Sequence, residues 1–197
     1  MSASYFFAML SRMKYINRWG LMRNTFTENI SEHSLDVAVI AHALAIIRNK
    51  KFGGTLNPER AALLGLYHDA TEIITGDLPT PVKYFNEDIR EAYHQVEELS
   101  SMRLLSMLPE ELQEDYIPLL SPNEKEEELW GIVKAADKLS ALIKCIEEEK
   151  AGNREFSRAY AATMEALEKM ELPEVQYFIE NMLPGYHLTL DEQEELL

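Results

Sequence analysis

The sequence predicts an all-α fold, on three observations. Apolar residues recur at three- and four-residue steps over most of the chain, and the helix formers Ala, Leu, Glu, Lys and Met dominate. No run alternates apolar and polar residues for long enough to build a sheet. Eight glycines and eight prolines cluster between the apolar runs, where they mark helix ends rather than interrupt helices. About eight helices and no internal repeat are expected. A chain of 197 residues buries one good core, so a single domain over residues 1–197 is expected.

Phe6, Leu10, Met13 and Ile16 place a first amphipathic helix over about residues 4–17. A polar loop to Asn29 carries Arg18, Trp19 and Arg23. Ser31 or Asn29 can cap the next helix, whose buried face is Val37, Ile40, Ala41, Leu44 and Ile47, with His33 in its first turn. Asn57-Pro58-Glu59 opens a short apolar helix running into His68 and Asp69. If that helix continues to Glu72, all three side chains share one side. Thr75 to Lys83 holds two prolines, cannot continue a helix, and forms a stiff loop carrying Asp77, Thr80 and Lys83, suited to holding a ligand.

Ile89, Tyr93, Val96, Leu99 and Met102 define a long helix, and Pro109 starts a shorter one; both read as scaffold. Ser121-Pro122-Asn123-Glu124 is the clearest helix start in the chain. The helix it opens carries Leu129, Val133, Ala136, Ser140 and Ile143 on one face, and Asp137 lies on that face. A carboxylate there needs a cationic partner or an ion, because burying it alone costs several kcal/mol. Helices around Phe156–Leu167 and Val175–Met182 complete a C-terminal scaffold from about residue 150, and an acidic, solvated tail follows. His42 reads as structural, His94 as solvated, and His187 has no evident role.

A net charge of −15 with no basic stripe argues against nucleic-acid or anionic-membrane binding, which depends on clustered Lys and Arg. Cys145 is the one cysteine, which excludes an intrachain disulfide and argues against a thiolate zinc site. The N-terminus lacks the apolar core of a signal peptide, since Arg12 and Lys14 follow soon after Phe6 to Leu10, and no 18-residue apolar run is evident. A cytoplasmic protein is expected.

His33, His68, Asp69 and Asp137 bring two imidazoles and two carboxylates from three helices, a set suited to one divalent first-row ion such as Mn, Co, Fe or Zn. Two carboxylates neutralise such an ion, so a phosphate arriving there needs further positive charge, which Arg18 and Lys83 can supply. Trp19 can stack on a base. Glu72 and Asp77 remain as carboxylates not needed as ligands, and either could polarise water or protonate a leaving oxygen.

This signature resembles that of the HD-domain phosphohydrolases. Phe6-Phe7-Ala8, Ile16-Asn17-Arg18-Trp19, Glu32-His33-Ser34-Leu35, Tyr67-His68-Asp69-Ala70 and the run from Gly76 to Asn86 resemble the bacterial 5'-deoxynucleotidases within that superfamily. The resemblance implies an HD-domain helical bundle acting as a homodimer on deoxyribonucleoside 5'-monophosphates, with a divalent metal such as cobalt or manganese. It implies His33, His68, Asp69 and Asp137 as metal ligands, with His33 and Asp137 also facing substrate. It implies Arg18 orienting the phosphate, Trp19 contacting the nucleotide, Glu72 and Asp77 in catalysis, and Thr80, Pro81, Val82 and Lys83 lining the substrate pocket. Other expectations are a phosphohydrolase acting on a triphosphate or cyclic nucleotide, a non-catalytic nucleotide sensor, and a helical interaction protein whose polar residues are ordinary ion pairs. Few basic residues near the motifs count against the triphosphate, and an intact metal set against the sensor.

Overall fold

The structure, a computed structural model, describes residues 4–83, 85–121 and 124–195. Among these the α-helices are α1 (Phe6–Leu10), α2 (Ile30–Phe52), α3 (Pro58–Tyr67), α4 (Glu72–Thr75), α5 (Thr80–Lys83), α6 (Glu87–Leu105), α7 (Glu110–Leu120), α8 (Glu127–Lys150), α9 (Ser157–Glu168), α10 (Pro173–Asn181) and α11 (Leu190–Glu194). No strand forms among the described residues, and the all-α expectation holds. An isolated antiparallel bridge joins Asn17 to Asn29. The chain resolves into two compact units, Met1–Leu35 with Leu66–Glu127, and Asp36–Gly65 with Glu128–Leu197.

The first unit packs around Phe6, Ala70, Leu104, Leu108 and Leu120. The Tyr116 ring meets Phe6 edge-on at 5.1 Å and Tyr67 at 6.1 Å, the geometry aromatic quadrupoles favour. The predicted first helix is shorter than expected: α1 ends at Leu10 and a 3-10 turn follows over Ser11–Tyr15. The cause is tertiary. Ile16 is extended because its carbonyl accepts from the Ile30 amide at 2.9 Å, beside the bond from the Arg18 amide to the Glu28 carbonyl at 2.9 Å.

Two further expectations are corrected here. The predicted apolar stripe of α6 is largely exposed, with Leu99 at 61% and Met102 at 57%, while Ser100, Ser101 and Leu104 face inward. The serines tolerate burial because their hydroxyls donate to the carbonyls of Val96 at 2.7 Å and Leu120 at 3.0 Å. The proline-rich stretch after Asp77 is not helix-free, since Thr80–Lys83 forms one helical turn. Pro81 sits in its first turn, where a missing N–H costs nothing.

The second unit is built on α8, which is buried nearly all round through Trp130, Val133, Ala136, Leu139, Leu142 and Ile146. Its helix start at Pro122-Asn123 lies outside the described residues. Lys144 donates to Glu148 at 2.6 Å, and Asn153 donates to the other Glu148 oxygen at 2.7 Å, so this fully buried carboxylate is satisfied on both sides. Cys145 is buried. The acidic tail is exposed as expected, but α11 forms there behind a Thr189–Glu192 capping box. An 18-residue window in α2 is long and apolar enough to cross a membrane, contrary to expectation, with mean hydropathy 1.5 and 56% of it buried.

Gly65 sets the approach of α3 to α2. A Cβ at this position would meet Ala38 Cα at 2.8 Å and Ala38 N at 3.0 Å, both backbone atoms that cannot rotate away. Alanine is the better helix former by about 1 kcal/mol, but overpacking a buried contact costs about 1–3 kcal/mol, so the clash wins. Gly65→Ala is therefore expected to lower stability in urea unfolding; a gain would show that the two helices separate freely.

Candidate metal and phosphate site

Three of the predicted donors meet in the first unit. His33 is carried on the first turn of α2, which Asn29 caps: its Oδ1 accepts from the Ser31 and Glu32 amides at 3.0 and 3.1 Å, and Glu32 Oε2 accepts from the Asn29 amide at 3.3 Å. The cap is thus Asn29 rather than Ser31. The His33 imidazole is fully buried. His68 and Asp69 follow differently from the expectation of a continuous helix to Glu72. Here α3 ends at Tyr67, and a tight turn, with Ala70 N–H to Tyr67 O and Glu72 N–H to Asp69 O both at 3.0 Å, separates it from α4. Buried Ala70 in the core holds that turn in place.

The turn puts Asp69 Oδ2 at 3.1 Å from His68 Nε2 and 3.5 Å from His33 Nε2, with the two rings 5.2 Å apart. One ligand atom from each of the three residues lies within 4.8 Å of the others. Ligands at about 2.1 Å from one ion, in tetrahedral or octahedral order, stand about 3.0–3.4 Å from each other. The 3.1 Å spacing falls within this range and the 3.5 Å spacing just beyond it, and two imidazoles with one carboxylate are the donor chemistry of a divalent first-row cation. The residues fit a metal. Burial raises the Asp69 carboxyl, but the His68 charge and hydrogen bond, then His33 and Arg18, hold it well below the usual carboxylate range. It is a ready anionic ligand.

Around this cluster stand the groups expected to handle substrate. Glu72 is buried at the start of α4, its Oε1 accepting from Lys83 Nζ at 2.8 Å, while its Oε2 has no hydrogen bond among the described residues. Burial, then the Asp69 charge, push the Glu72 carboxyl up to about 8 against the pull of Lys83. Lys83 is raised by its contact with Glu72 despite burial. Its amine also lies 5.0 Å from the centre of the Tyr93 ring, and the Tyr93 hydroxyl is 3.4 Å from Thr75 Oγ1.

Between the two acids the chain turns at Gly76, whose φ of 72° only glycine adopts freely. Asp77 therefore faces elsewhere, its Oδ2 accepting from the Trp19 amide at 3.2 Å. Trp19 itself has a φ of 61°, the left-handed region. Glu28 Oε2 accepts from both Arg18 Nη1 at 2.8 Å and Trp19 Nε1 at 2.9 Å.

Asp137 is half-buried on α8 in the second unit, beside the buried Ala136 and Ser140. Pro81 and Val82 are exposed on α5, and the Thr80 side chain lies outside the described residues. His94 is exposed, 3.6 Å from Glu98, and His187 is exposed as well. Two residues escaped the sequence reading. Tyr93 appeared as scaffold, and Glu28 gave no signal, since nothing in its spacing ties it to Arg18 or Trp19 ten and nine residues away.

Comparison with known proteins agrees with this geometry. The family model described as 5'-deoxynucleotidase YfbR-like matches residues 5–186. A 5'-deoxynucleotidase of Vibrio parahaemolyticus is 54% identical, covering 98% of this chain and 99% of its own. The 5'-deoxynucleotidase YfbR of Salmonella paratyphi B is 54% identical, over 98% of this chain and 96% of its own. Among solved structures, an HD-domain phosphohydrolase from Listeria innocua superposes with a TM-score of 0.78 at 26% identity, over 96% of this chain and 91% of that one. The HD phosphohydrolase of cyanophage S-2L, bound to dA and one catalytic Zn2+ ion, shares the fold with a TM-score of 0.63 at 19% identity, over 94% and 98% of the two chains. With the His-His-Asp cluster in place and relatives alike over nearly their whole length, this chain belongs to the YfbR-like 5'-deoxynucleotidase family.

Proposed function

We propose that this protein removes phosphate from deoxyribonucleoside 5'-monophosphates, giving the deoxyribonucleoside and inorganic phosphate. The observation that carries the reading is the joining of His33, His68 and Asp69 into one donor set beside the Arg18 charge. His33, His68 and Asp69, with Asp137 as fourth ligand, hold one divalent ion, cobalt or manganese. Bound there, such an ion supplies Lewis-acid polarisation of the phosphate and activation of water.

The chain's own residues do the rest. Arg18 binds and orients the phosphate dianion through its guanidinium. Trp19 stacks on the nucleotide, and Thr80, Pro81, Val82 and Lys83 line the substrate pocket with His33, Asp77 and Asp137. Glu72 donates its proton to the leaving 5'-oxygen, a role supported by its burial beside Lys83 at 2.8 Å and by the upward push of that burial on its carboxyl. Asp77 acts by fixing the Trp19 backbone. Preference for deoxyribose over ribose comes from the family. The enzyme works in the cytoplasm as a homodimer, without nucleic acid or membrane as partner. The net charge of −15 supports that exclusion, and exposed Leu99 and Met102 offer an apolar face for a second copy.

Stripping the protein with chelator should abolish phosphate release from deoxyribonucleoside monophosphates, and cobalt or manganese should restore it; full activity after chelation would defeat the metal mechanism. In the same assay Asp137→Asn should raise the metal concentration needed for half-maximal activity at least about tenfold, the usual scale for losing a ligand or its support. Molar mass by light scattering should be that of two chains, and Leu99→Lys with Met102→Lys should yield single chains.

The raised Glu72 carboxyl also predicts a stability trend. Between its ordinary value of 4.5 and about 8, the folded chain keeps a proton that the unfolded chain releases. That contribution is full below 4.5 and is lost as pH rises through about 8. The melting temperature of metal-free Glu72→Gln should therefore fall less than that of the parent between about pH 5 and pH 9. Parallel curves would show that Glu72 ionises normally.

A further inference from the structure

Arg18 and Trp19 are proposed to take separate tasks, phosphate and nucleotide, yet one carboxylate oxygen holds both. Glu28 Oε2 lies 2.8 Å from Arg18 Nη1 and 2.9 Å from Trp19 Nε1. The Glu28 carbonyl also accepts the Arg18 amide at 2.9 Å, so the two residues are joined through backbone and side chain together. The Arg18 guanidinium stands 5.4 Å from the centre of the Trp19 ring. Both members of the ion pair are only 12% exposed, which removes the solvent screening that makes surface pairs weak.

The charge of Glu28 matters as much as its position. A guanidinium carries five donors in one plane, and engaging Nη1 fixes that plane and so the direction of the whole group. An ionised acceptor makes shorter and stronger bonds than an amide oxygen would, and it can hold two donors on one oxygen. Asp77 holds the Trp19 amide, so indole and backbone of the same residue are anchored by different carboxylates. We propose that Glu28 is a positioning residue that locks Arg18 and Trp19 into one rigid corner, so that the phosphate and the base of a nucleoside monophosphate are gripped at a fixed distance from each other. Glu28 touches no reacting atom and acts through these two side chains. This inference rests on the nucleotidase reading of the site.

A double-mutant cycle with a spectroscopic arm tests it. Glu28→Gln is expected to lower kcat/KM for phosphate release from deoxyadenosine 5'-monophosphate about tenfold, and Arg18→Gln with Glu28→Gln to lose clearly less than the product of the two single losses, the part beyond Arg18→Gln alone being what Glu28 exerts through Trp19. Unchanged kcat/KM in Glu28→Gln, or losses that simply multiply in the double variant, would overturn the proposal. The chain holds two tryptophans, so Trp130→Phe leaves Trp19 as the sole tryptophan, whose emission is read by exciting where tyrosine does not absorb. In that background, without metal or nucleotide, Glu28→Gln should shift the Trp19 emission to longer wavelength as the indole loses its anchor; an unmoved spectrum overturns the proposal independently of turnover. Glu28→Asp keeps the charge on a shorter stem and should give a smaller loss and a smaller shift, and a loss equal to that of Glu28→Gln would count against the role of charge. Absence of phosphate release from the parent protein would instead refute the nucleotidase reading, with the emission arm still deciding whether Glu28 holds the corner.

Discussion

The burial of Ala70 is the constraint on which the site depends. Its methyl is fully enclosed in the core of the first unit, and its chain neighbours His68, Asp69 and Glu72 are all polar. Packing of one small apolar residue therefore fixes a turn whose other side chains have no apolar reason to be where they are. Within that turn Asp69 Oδ2 stands 3.1 Å from His68 Nε2. Donor spacing at this site is a consequence of core packing, and the electrostatic gain of a bound cation is added to a geometry already set.

Two acids a few residues apart show how local backbone divides chemistry. Glu72, at the start of α4, is buried against Lys83 and keeps its proton to about 8. Asp77, beyond the reversal at Gly76, spends its carboxylate on a backbone amide of Trp19. Identical functional groups acquire different roles because one is desolvated beside a like charge and the other accepts a hydrogen bond in a half-buried setting. Sequence alone left these two interchangeable.

What could be read from the residues was whatever local rules determine. The Asn29 cap, the apolar face of α2, the Asn57-Pro58 start of α3 and the all-helical class follow from three- and four-residue periodicity and from capping chemistry. The grouping of His33 with His68 and Asp69 was legible because metal-binding residue types are few and their pattern is distinctive. Features set by long-range contact were not. The bridge between Asn17 and Asn29 ends the first helical segment early, and no periodicity announces it. Ser100 and Ser101 face the core in place of Leu99 and Met102 because Val96 and Leu120 offer carbonyls to their hydroxyls, a compensation invisible to hydropathy. Glu28 is one of 34 acidic residues, and only its placement in space distinguishes it.

The left-handed backbone at Trp19 carries one more implication. A bulky residue in that region costs about 1–3 kcal/mol, and glycine would adopt the same conformation without strain. Relief of that strain and loss of the indole's hydrogen bond to Glu28 therefore act against each other in Trp19→Gly, so the dihedral angle at this position is held by the same side chain on which nucleotide recognition is proposed to rest.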